Sequence, residues 1–362
     1  MLVLPLVFVD LSSENRVSVQ ENRMLAKFPN LGDLKRHRGQ FIRDFDAWFK
    51  DSTGFREQFL ALYNVIGKNR WLNGISYSDG QYVYLVGEHG HHFFAHIDGY
   101  LISKFQGKKF IPDEKLSRMA DKLEIVKTYL DSKGIPLIVM FCTDKESIYP
   151  EYYPRSIIRG QEPIQLDVIT NYIKEHTSVD VFNIRQALMT EKNNYMFYPV
   201  SSGDLGHYNE IGAFFAYREL MKHINIYFPK IIPFEIDDIE INYINSPPVV
   251  SMKVEKTYKE LDSSFFDDVE LLRPFKWENV IFENTKPDLP VILFFRDSFA
   301  LEHFFGKYIA QQFGRAILIH YINMKYFEEF IDKYKPDIVV FESAESSLEI
   351  FTNYVNLIPE LP

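Results

Sequence analysis

Apolar residues recur along this chain at two different spacings. Over residues 38–66, aromatic side chains recur at intervals of three and four, which predicts a helical segment broken by a turn at 51–54. From residue 113 onward, amphipathic segments alternate with continuous apolar runs. The segments predicted as helices are 114–133, 164–176, 209–227, 299–313 and 325–334. The segments predicted as strands are 81–86, 135–141, 179–182, 290–295, 316–320 and 338–341.

This alternation is typical of an α/β fold in which a doubly wound, mainly parallel sheet lies between two layers of helices. Continuous apolar runs such as 135–141 suit parallel strands, because those strands are buried on both faces. We predict one such three-layer domain over residues 21–362, with added helical and β elements near its N-terminus. Residues 228–286 are rich in proline and acidic groups, so we expect an irregular insertion there that lies near the cleft.

Composition narrows the class of protein. The chain has 362 residues, of which 46% are hydrophobic and 25% charged, and this excludes a disordered chain, a collagen-like chain and a polytopic membrane protein. The net charge of −10 argues against unspecific nucleic-acid binding, which needs a basic surface. The single cysteine, Cys142, excludes an intramolecular disulfide and a multi-cysteine metal site. We expect no cofactor.

The first nine residues, MLVLPLVFV, are all apolar. They are too few to span a bilayer, which takes about 20 residues, and they lack the basic start and cleavage site of a signal peptide. Three interpretations stay open: a buried first strand, an interfacial segment, and the tail of an export or anchor helix that begins upstream. Residues 1–20 are thus expected to hold an export or anchor remnant and a polar lead-in.

In a parallel α/β sheet, ligands bind outside the carboxyl ends of the strands. Ser298 lies at such an end, in the sequence Phe295-Arg-Asp-Ser-Phe299. A serine at a strand-to-helix turn presents its hydroxyl above the sheet, and its backbone N–H can face a developing oxyanion. The alternative is that Asp297 or Ser298 only caps the helix that follows.

A second motif carries an acid and a base. Asp204 stands three residues before His207, immediately ahead of the predicted helix 209–227. A carboxylate beside an imidazole fixes its tautomer, so that the other ring nitrogen can take a proton from a hydroxyl. A surface loop with a helix-capping Asp or Asn explains the motif equally well. If the motif is catalytic, Asp204 and His207 must converge with Ser298.

Together the two motifs resemble the SGNH/GDSL hydrolase superfamily, with the order changed so that Asp and His precede Ser. This order is similar to that of the alginate O-acetyltransferase group. Five further segments resemble that group in the same succession along the chain, namely 21–29, 45–56, 136–150, 290–299 and 335–342. The resemblance extends from about residue 20 to about residue 350. It implies an SGNH-like fold with Ser298, His207 and Asp204 as the catalytic triad.

The chain also departs from the pattern of that group. The group usually has Asp-x-His followed by Trp, whereas this chain has the wider Asp-x-x-His spacing of ordinary SGNH hydrolases, followed by Tyr208. The Gly usual before Asp-Ser is Arg296, and the Asn that donates to the oxyanion in ordinary SGNH enzymes has no clear counterpart. The candidates for substrate or oxyanion contacts are Arg296, Asn323, Ser343, Lys145 and Tyr149, with structural packing as the alternative for Tyr149.

The resemblance implies an O-acyltransferase that acetylates hydroxyls of an exported or cell-surface polysaccharide through an acyl-enzyme. It also implies a periplasmic or extracytoplasmic location, with or without an N-terminal membrane anchor. The acyl donor is then delivered by a membrane-bound O-acyltransferase-type protein. Two alternatives stay open: an esterase or deacetylase with the same triad, and a non-catalytic polysaccharide-binding protein of the same fold.

Two other groups are better explained as structural. Glu88, His89, His91 and His92 have the short spacing of metal ligands, but an ordinary strand or hairpin explains them better. Cys142 ends an apolar run and is expected to be a core thiol, because a cysteine nucleophile needs an activating histidine nearby.

Overall fold

The computed structural model describes a defined part of the chain. The described residues are 17–18, 23–24, 26–32, 38–52, 76–78, 83–95, 100–201, 204–243, 248–261, 279–286, 288–300 and 305–361. The chain divides into two compact units, Met1–Val86 and Gly87–Pro362. The three interpretations of the apolar residues 1–9 concern a segment outside the described residues.

The first unit contains one helix, α1 (Arg38–Ser52), among its described residues. Strands β1 (Val17–Ser18) and β2 (Arg23–Met24) pair antiparallel, as do β3 (Ser76–Ser78) and β4 (Val83–Val86). On α1, the Phe45 ring lies between those of Phe41 and Phe49, with centroid separations of 6.2 and 6.3 Å. The helix predicted from aromatic spacing is therefore confirmed up to residue 52, and its continuation to residue 66 lies outside the described residues.

The second unit alternates strands and helices. Its helices are α2 (Tyr100–Phe105), α3 (Asp113–Ser132), α4 (Lys145–Ile148), α5 (Gln165–His176), α6 (Arg185–Glu191), α7 (Glu210–Tyr227), α8 (Lys307–Gln312), α9 (Phe327–Tyr334) and α10 (Leu348–Val355). Its strands are β5 (His92–Phe94), β6 (Leu137–Cys142), β7 (Asp180–Asn183), β8 (Ile239–Asn242), β9 (Val249–Met252), β10 (Tyr258–Glu260), β11 (Val280–Asn284), β12 (Val291–Arg296), β13 (Arg315–His320) and β14 (Ile338–Ala344).

Seven strands form the central sheet, in the order β10-β11-β13-β12-β14-β6-β7. The five from β13 to β7 are parallel, and β10 and β11 extend one edge antiparallel. The parallel register places the carboxyl ends of β12, β13 and β14 side by side, with Arg296 opposite His320 and Phe295 opposite Phe341. The residues that follow these strands therefore share one edge of the sheet.

Both faces of the sheet are covered by helices. Successive residues of a strand point to opposite faces. On β6, Ile138 and Met140 pack with the apolar side of α7, whereas Val139 and Phe141 pack with α3 and α5. All four side chains are fully buried. This is the predicted three-layer α/β architecture, and the prediction is confirmed.

In its described residues the segment 228–286 forms regular strands, so the prediction of an irregular segment was wrong there. Its described residues include β8 and β9, which pair antiparallel, and β10 and β11, which join the central sheet. The sequences of β8 (IEIN) and β11 (VIFEN) place acidic or amide side chains beside apolar ones. Such mixed runs are typical of antiparallel strands such as the pairs β8–β9 and β10–β11, and they lack the continuous apolar signature of a central parallel strand.

The helix predicted over 299–313 is shorter in the structure. Ser298–Ala300 form a single 3₁₀ turn, α8 covers Lys307–Gln312, and residues 301–304 lie outside the described residues. Within the described ranges, none of the helices has the length and apolar character needed to cross a membrane.

Candidate active site

The structure brings Asp204, His207 and Ser298 together at the carboxyl edge of the sheet. Ser298 follows β12 directly, and the loop carrying Asp204 and His207 leads into α7. His207 Nε2 lies 2.7 Å from Ser298 Oγ, and His207 Nδ1 lies 2.7 Å from Asp204 Oδ2. With the proton on Nδ1, the ring donates to the carboxylate and accepts a hydrogen bond from the serine hydroxyl. This is the arrangement of a nucleophile, a base and an orienting acid.

Asp204 and His207 shift each other's pKa in opposite directions. Burial by itself favours the neutral form of Asp204, but the hydrogen bond and charge of His207 outweigh it and lower the pKa of that carboxyl. Burial likewise opposes the charged imidazole, yet the hydrogen bond and charge of Asp204, with the charges of Asp297 and Asp144, raise the pKa of His207. The pair therefore stabilises a proton on His207, as a general base requires.

The loop before α7 leaves Asp204 available to His207 because another residue caps the helix. Asn209 Oδ1 accepts from the N–H groups of Ile211 and Gly212, both at 3.0 Å. The Asn209 N–H in turn donates to Phe197 O at 2.7 Å. A Cβ at Gly212 would lie 2.8 Å from that same carbonyl oxygen, so only glycine permits this close approach. The helix cap proposed for Asp204 is thus provided by Asn209.

The turn that carries Ser298 is fixed by Asp297. Asp297 Oδ1 accepts from the Phe299 N–H at 2.9 Å, and its Oδ2 accepts from the Ala344 N–H at 2.7 Å. The Asp297 N–H donates to Glu342 Oε2 on β14 at 3.0 Å. The capping alternative therefore holds for Asp297, while the hydroxyl of Ser298 faces His207.

The other three candidates near the carboxyl ends of the sheet strands are buried: Arg296 ends β12, Ser343 lies in β14, and Asn323 follows β13. Arg296 is fully buried, and its Nη1 donates to Asp297 O at 3.0 Å. Ser343 Oγ donates to Ala344 O at 3.3 Å. Asn323 is 2% exposed, and its Nδ2 has no hydrogen-bond partner among the described residues. Arg296 thus supports the turn, and Asn323 retains an unused donor.

Lys145 and Tyr149 bind backbone groups of the segment that precedes the Asp204 loop. The Lys145 ammonium donates to the carbonyl oxygens of His92 at 2.7 Å, of Val200 at 3.1 Å, and of Pro199. Burial lowers the pKa of Lys145 to about 7, which suits a general base, but its amine faces carbonyls and no hydroxyl. Tyr149 is buried, and its hydroxyl accepts from the Phe197 N–H at 3.0 Å. Both side chains therefore have packing and hydrogen-bonding roles.

Two buried side chains of this site were not among the candidates chosen from the sequence. Glu342 interrupts the apolar run of β14, and burial raises the pKa of its carboxyl well above the usual range, which favours the neutral form. Tyr208 donates its hydroxyl proton to Phe299 O at 2.6 Å. A carboxyl residue inside an apolar strand is the signal that points to Glu342. For Tyr208, adjacency to His207 is the signal.

The remaining groups with metal-binding spacing do not form a site in the described residues. No cluster of three or more His, Cys, Asp or Glu suited to a metal occurs there. His91 is buried and stacks on Tyr152 with a centroid separation of 4.2 Å. Cys142 is buried and unmodified by any disulfide, and burial raises the pKa of its thiol. These are core contacts.

A cavity of about 160 Å³ lies beside the Asp204–His207 loop. Its wall includes Asp204, Tyr208 and Pro199 from the loop region, together with Pro248 and Val249 from the segment 228–286. A larger cavity of about 640 Å³ lies at the opposite edge of the sheet, where Pro136 and Pro336 precede β6 and β14. Only the smaller cavity adjoins the triad.

A family model matches the part of the chain that carries Asp204 and His207. Residues 105–232 match the family model described as an SGNH hydrolase-like domain, acetyltransferase AlgX. The matched region contains Asp204 and His207, and Ser298 lies outside it. No curated protein sequence matches the chain.

Two solved structures share the fold. A DHHW family protein from Eubacterium siraeum is 12% identical, with a TM-score of 0.53 over 79% of this chain and 97% of that chain. PatB1 of Bacillus cereus, solved with a sulfonyl adduct, is 12% identical, with a TM-score of 0.50 over 75% of this chain and 95% of that chain. The match of residues 105–232 to this family model confirms the resemblance predicted from the sequence.

Proposed function

We propose that this protein is an O-acyltransferase that acetylates hydroxyl groups of an exported or cell-surface polysaccharide. One observation carries the proposal: the continuous hydrogen-bonded series Asp204–His207–Ser298, with both separations at 2.7 Å. The acetyltransferase description of the matched family model supports the choice of reaction. The resemblance of the sequence to the alginate O-acetyltransferase group supports a polysaccharide as the acceptor.

The chemistry follows a two-step, ping-pong course. Ser298 Oγ attacks the carbonyl carbon of the acetyl donor while His207 Nε2 takes the hydroxyl proton, and Asp204 stabilises the imidazolium. The tetrahedral intermediate collapses, the donor's alcohol or thiol leaves with the proton from His207, and an acetyl-Ser298 ester is formed. A sugar hydroxyl then attacks that ester, with His207 again taking and returning one proton. The products are acetylated sugar and free Ser298.

The developing oxyanion needs hydrogen-bond donors that are already in place. We assign one of them to the backbone N–H of Ser298, because Ser298 follows a parallel strand in a turn fixed by the Asp297 carboxylate. Asn323 is the candidate for a second donor, since its Nδ2 is buried and has no partner among the described residues. Replacement of Asn323 by Ala should lower kcat more than it changes KM.

The location and the donor belong to the same proposal. A polysaccharide acceptor on the export side of the membrane places this protein outside the cytoplasm. The acetyl group then has to cross the membrane, and a membrane-bound O-acyltransferase-type protein is the donor that suits this chemistry. The support for both statements is the AlgX-type family match.

The test compares transfer with hydrolysis in one reaction. The protein is incubated with 4-nitrophenyl acetate and a mixture of oligosaccharides, and mass spectrometry quantifies acetylated sugar and free acetate. We expect acetylated sugar to form, and Ser298→Ala to abolish it. Ser178→Ala is the matched control, because Ser178 is an exposed serine bonded to Glu124 just before the amino end of β7, at the opposite edge of the sheet from the triad.

Each other outcome selects another function. Free acetate without acetylated sugar indicates an esterase with the same triad. Full activity in Ser298→Ala removes Ser298 as the nucleophile. A sulfonyl fluoride provides an independent check, since a sulfonyl group forms an adduct with PatB1: peptide mapping should find the label on Ser298.

A further inference from the structure

Two hydrogen bonds among the described residues join the loop 204–208 to the turn 297–299. One is the bond between His207 Nε2 and Ser298 Oγ at 2.7 Å. The other lies one residue along in both segments, where the Tyr208 hydroxyl donates to Phe299 O at 2.6 Å. The two bonds therefore connect consecutive residues on each side, across the same separation of 91 positions.

Tyr208 is buried and closely packed on several sides, which fixes the position of its hydroxyl. Its side chain is 2% exposed, and its ring meets the Phe299 ring edge to face at a centroid separation of 5.1 Å. A Cβ on Gly212 would come within 2.6 Å of the Tyr208 Cβ, so the first turn of α7 lies directly against this residue. Burial raises the pKa of the Tyr208 hydroxyl well above its usual value, so it stays a donor. Cys142 Sγ lies 3.9 Å from the same oxygen.

The hydrogen bonds of Asp297 join the turn to β14 and not to the loop 204–208. The Asp297 N–H donates to Glu342, and the Asp297 carboxylate accepts from Ala344, both on β14. These contacts fix the turn to the sheet. They do not set its separation from the loop that carries His207.

We propose that Tyr208 is a positioning residue that sets the separation between His207 Nε2 and Ser298 Oγ through its bond to the Phe299 carbonyl. The inference rests on the proposed function, because it assigns Tyr208 a part in activating Ser298. Tyr208 does not touch the reacting atoms. Phe299 is next to Ser298 in the chain, and Tyr208 is next to His207. A change in the hydrogen bond between Tyr208 and Phe299 therefore moves Ser298 relative to His207. A misplacement of about 1 Å at a reacting group costs about 10²-fold in rate.

The test uses two tyrosine-to-phenylalanine variants that remove the same kind of bond. Tyr208→Phe removes only the hydroxyl that reaches Phe299. Tyr198→Phe is the matched control, because Tyr198 is also fully buried and its hydroxyl donates to a buried backbone carbonyl, that of Thr143. The rings of the two tyrosines lie 6.4 Å apart, so both variants perturb the same part of the core.

We expect Tyr208→Phe to lower kcat for acetyl transfer by about 10- to 100-fold with KM unchanged. Its acid limb should stay at the same pH, because the bond between His207 and Asp204 remains. Tyr198→Phe should show a similar fall in Tm and a kcat within about twofold of wild type. Equal kcat values in the two variants overturn the proposal, whether both fall or neither does.

Crystal structures of the wild type and of Tyr208→Phe give a second reading that does not depend on activity. The separation between Nε2 and Oγ should exceed 3.5 Å in the variant, and a value unchanged from 2.7 Å overturns the positioning role. If the wild type shows no activity that depends on Ser298, the proposed function fails, and this separation still decides the role of Tyr208.

Discussion

Replacing Asp204 by Asn tests the base directly. The Asp204 carboxylate accepts a hydrogen bond from the protonated Nδ1 of His207, with 2.7 Å between the two atoms. This bond and the carboxylate charge raise the pKa of His207. An amide at this position carries no charge, and its NH₂ group can donate to Nδ1. The ring proton then moves to Nε2, which can no longer accept a proton from Ser298. Two effects therefore act together, loss of charge and the wrong tautomer.

The charge effect can be bounded from the structure. Two unit charges about 4 Å apart interact with about 1 kcal/mol in bulk water and about 4 kcal/mol near a protein surface. The Asp204 side chain is 58% exposed and that of His207 22%, so the value lies between these limits. Because about 1.4 kcal/mol corresponds to a tenfold change in rate, the charge alone contributes about 5- to 1,000-fold. The wrong tautomer brings the total loss toward the ~10⁴-fold seen in serine proteases. We expect kcat to fall between about 10²- and 10⁴-fold.

The assay measures the rate of acyl-enzyme formation with 4-nitrophenyl acetate as a function of pH. The neutral imidazole is the active form, so the rate of the wild type should fall as the pH drops through the pKa of His207. In Asp204→Asn the acid limb should move to lower pH, because the imidazolium loses its stabilising charge. Asp180→Asn is the matched control: Asp180 Oδ1 lies 2.8 Å from His223 Nδ1, an acid–imidazole pair away from Ser298. Asp180→Asn should leave both rate and acid limb unchanged.

A loss below about tenfold together with an unmoved acid limb would refute this reasoning. It would mean that another group orients His207, and the site would be a Ser298–His207 dyad.

Three further outcomes follow from the buried groups around the site. Burial raises the pKa of Glu146 to about 8, so between pH 5 and pH 8 the folded chain keeps a proton on this carboxyl that the unfolded chain releases. Tm should therefore fall as the pH rises from 5 to 8, and Glu146→Gln should make Tm less dependent on pH. Burial raises the pKa of Glu342 and favours its neutral form, so Glu342→Gln, which still accepts from the Asp297 N–H, should keep kcat within about twofold. A loss above tenfold would show that the acidic group is needed. Asn209→Ala should cost about 1–2 kcal/mol in urea unfolding because it removes the α7 cap, and an unchanged midpoint would contradict that role.

Most of the parallel core could be predicted because its strands contain continuous apolar runs. β6, β12, β13 and β14 all lie where such runs occur, and α3, α5 and α7 have the expected amphipathic spacing. The strands of 228–286 could not be predicted in this way. Each has acidic or polar side chains among its apolar ones, and each lies either in the two-stranded sheet β8–β9 or in the antiparallel pair β10–β11 at one side of the central sheet.

The candidate site was predictable in its residue types but not in its supports. The sequence places Asp204 near His207 and Ser298 after a strand, and only the fold shows that the 91 positions between His207 and Ser298 close to a hydrogen bond. The roles of Lys145 and Tyr149 depend on which backbone carbonyls and N–H groups lie near their polar atoms. No local pattern encodes those partners, since they come from segments about 50 residues away.

The strand order of the central sheet has a consequence for when this protein can become active. β12, which precedes Ser298, is separated from β6 by β14, the strand that is synthesised last. Until residues 338–344 have been synthesised, β12 lacks its neighbour on the β6 side, and the Asp297 turn lacks its bonds to Glu342 and Ala344. Long-range parallel pairing of this kind is slow to form. A nascent chain without β14 would therefore carry Asp204, His207 and Ser298 without the bonds that fix the Ser298 turn.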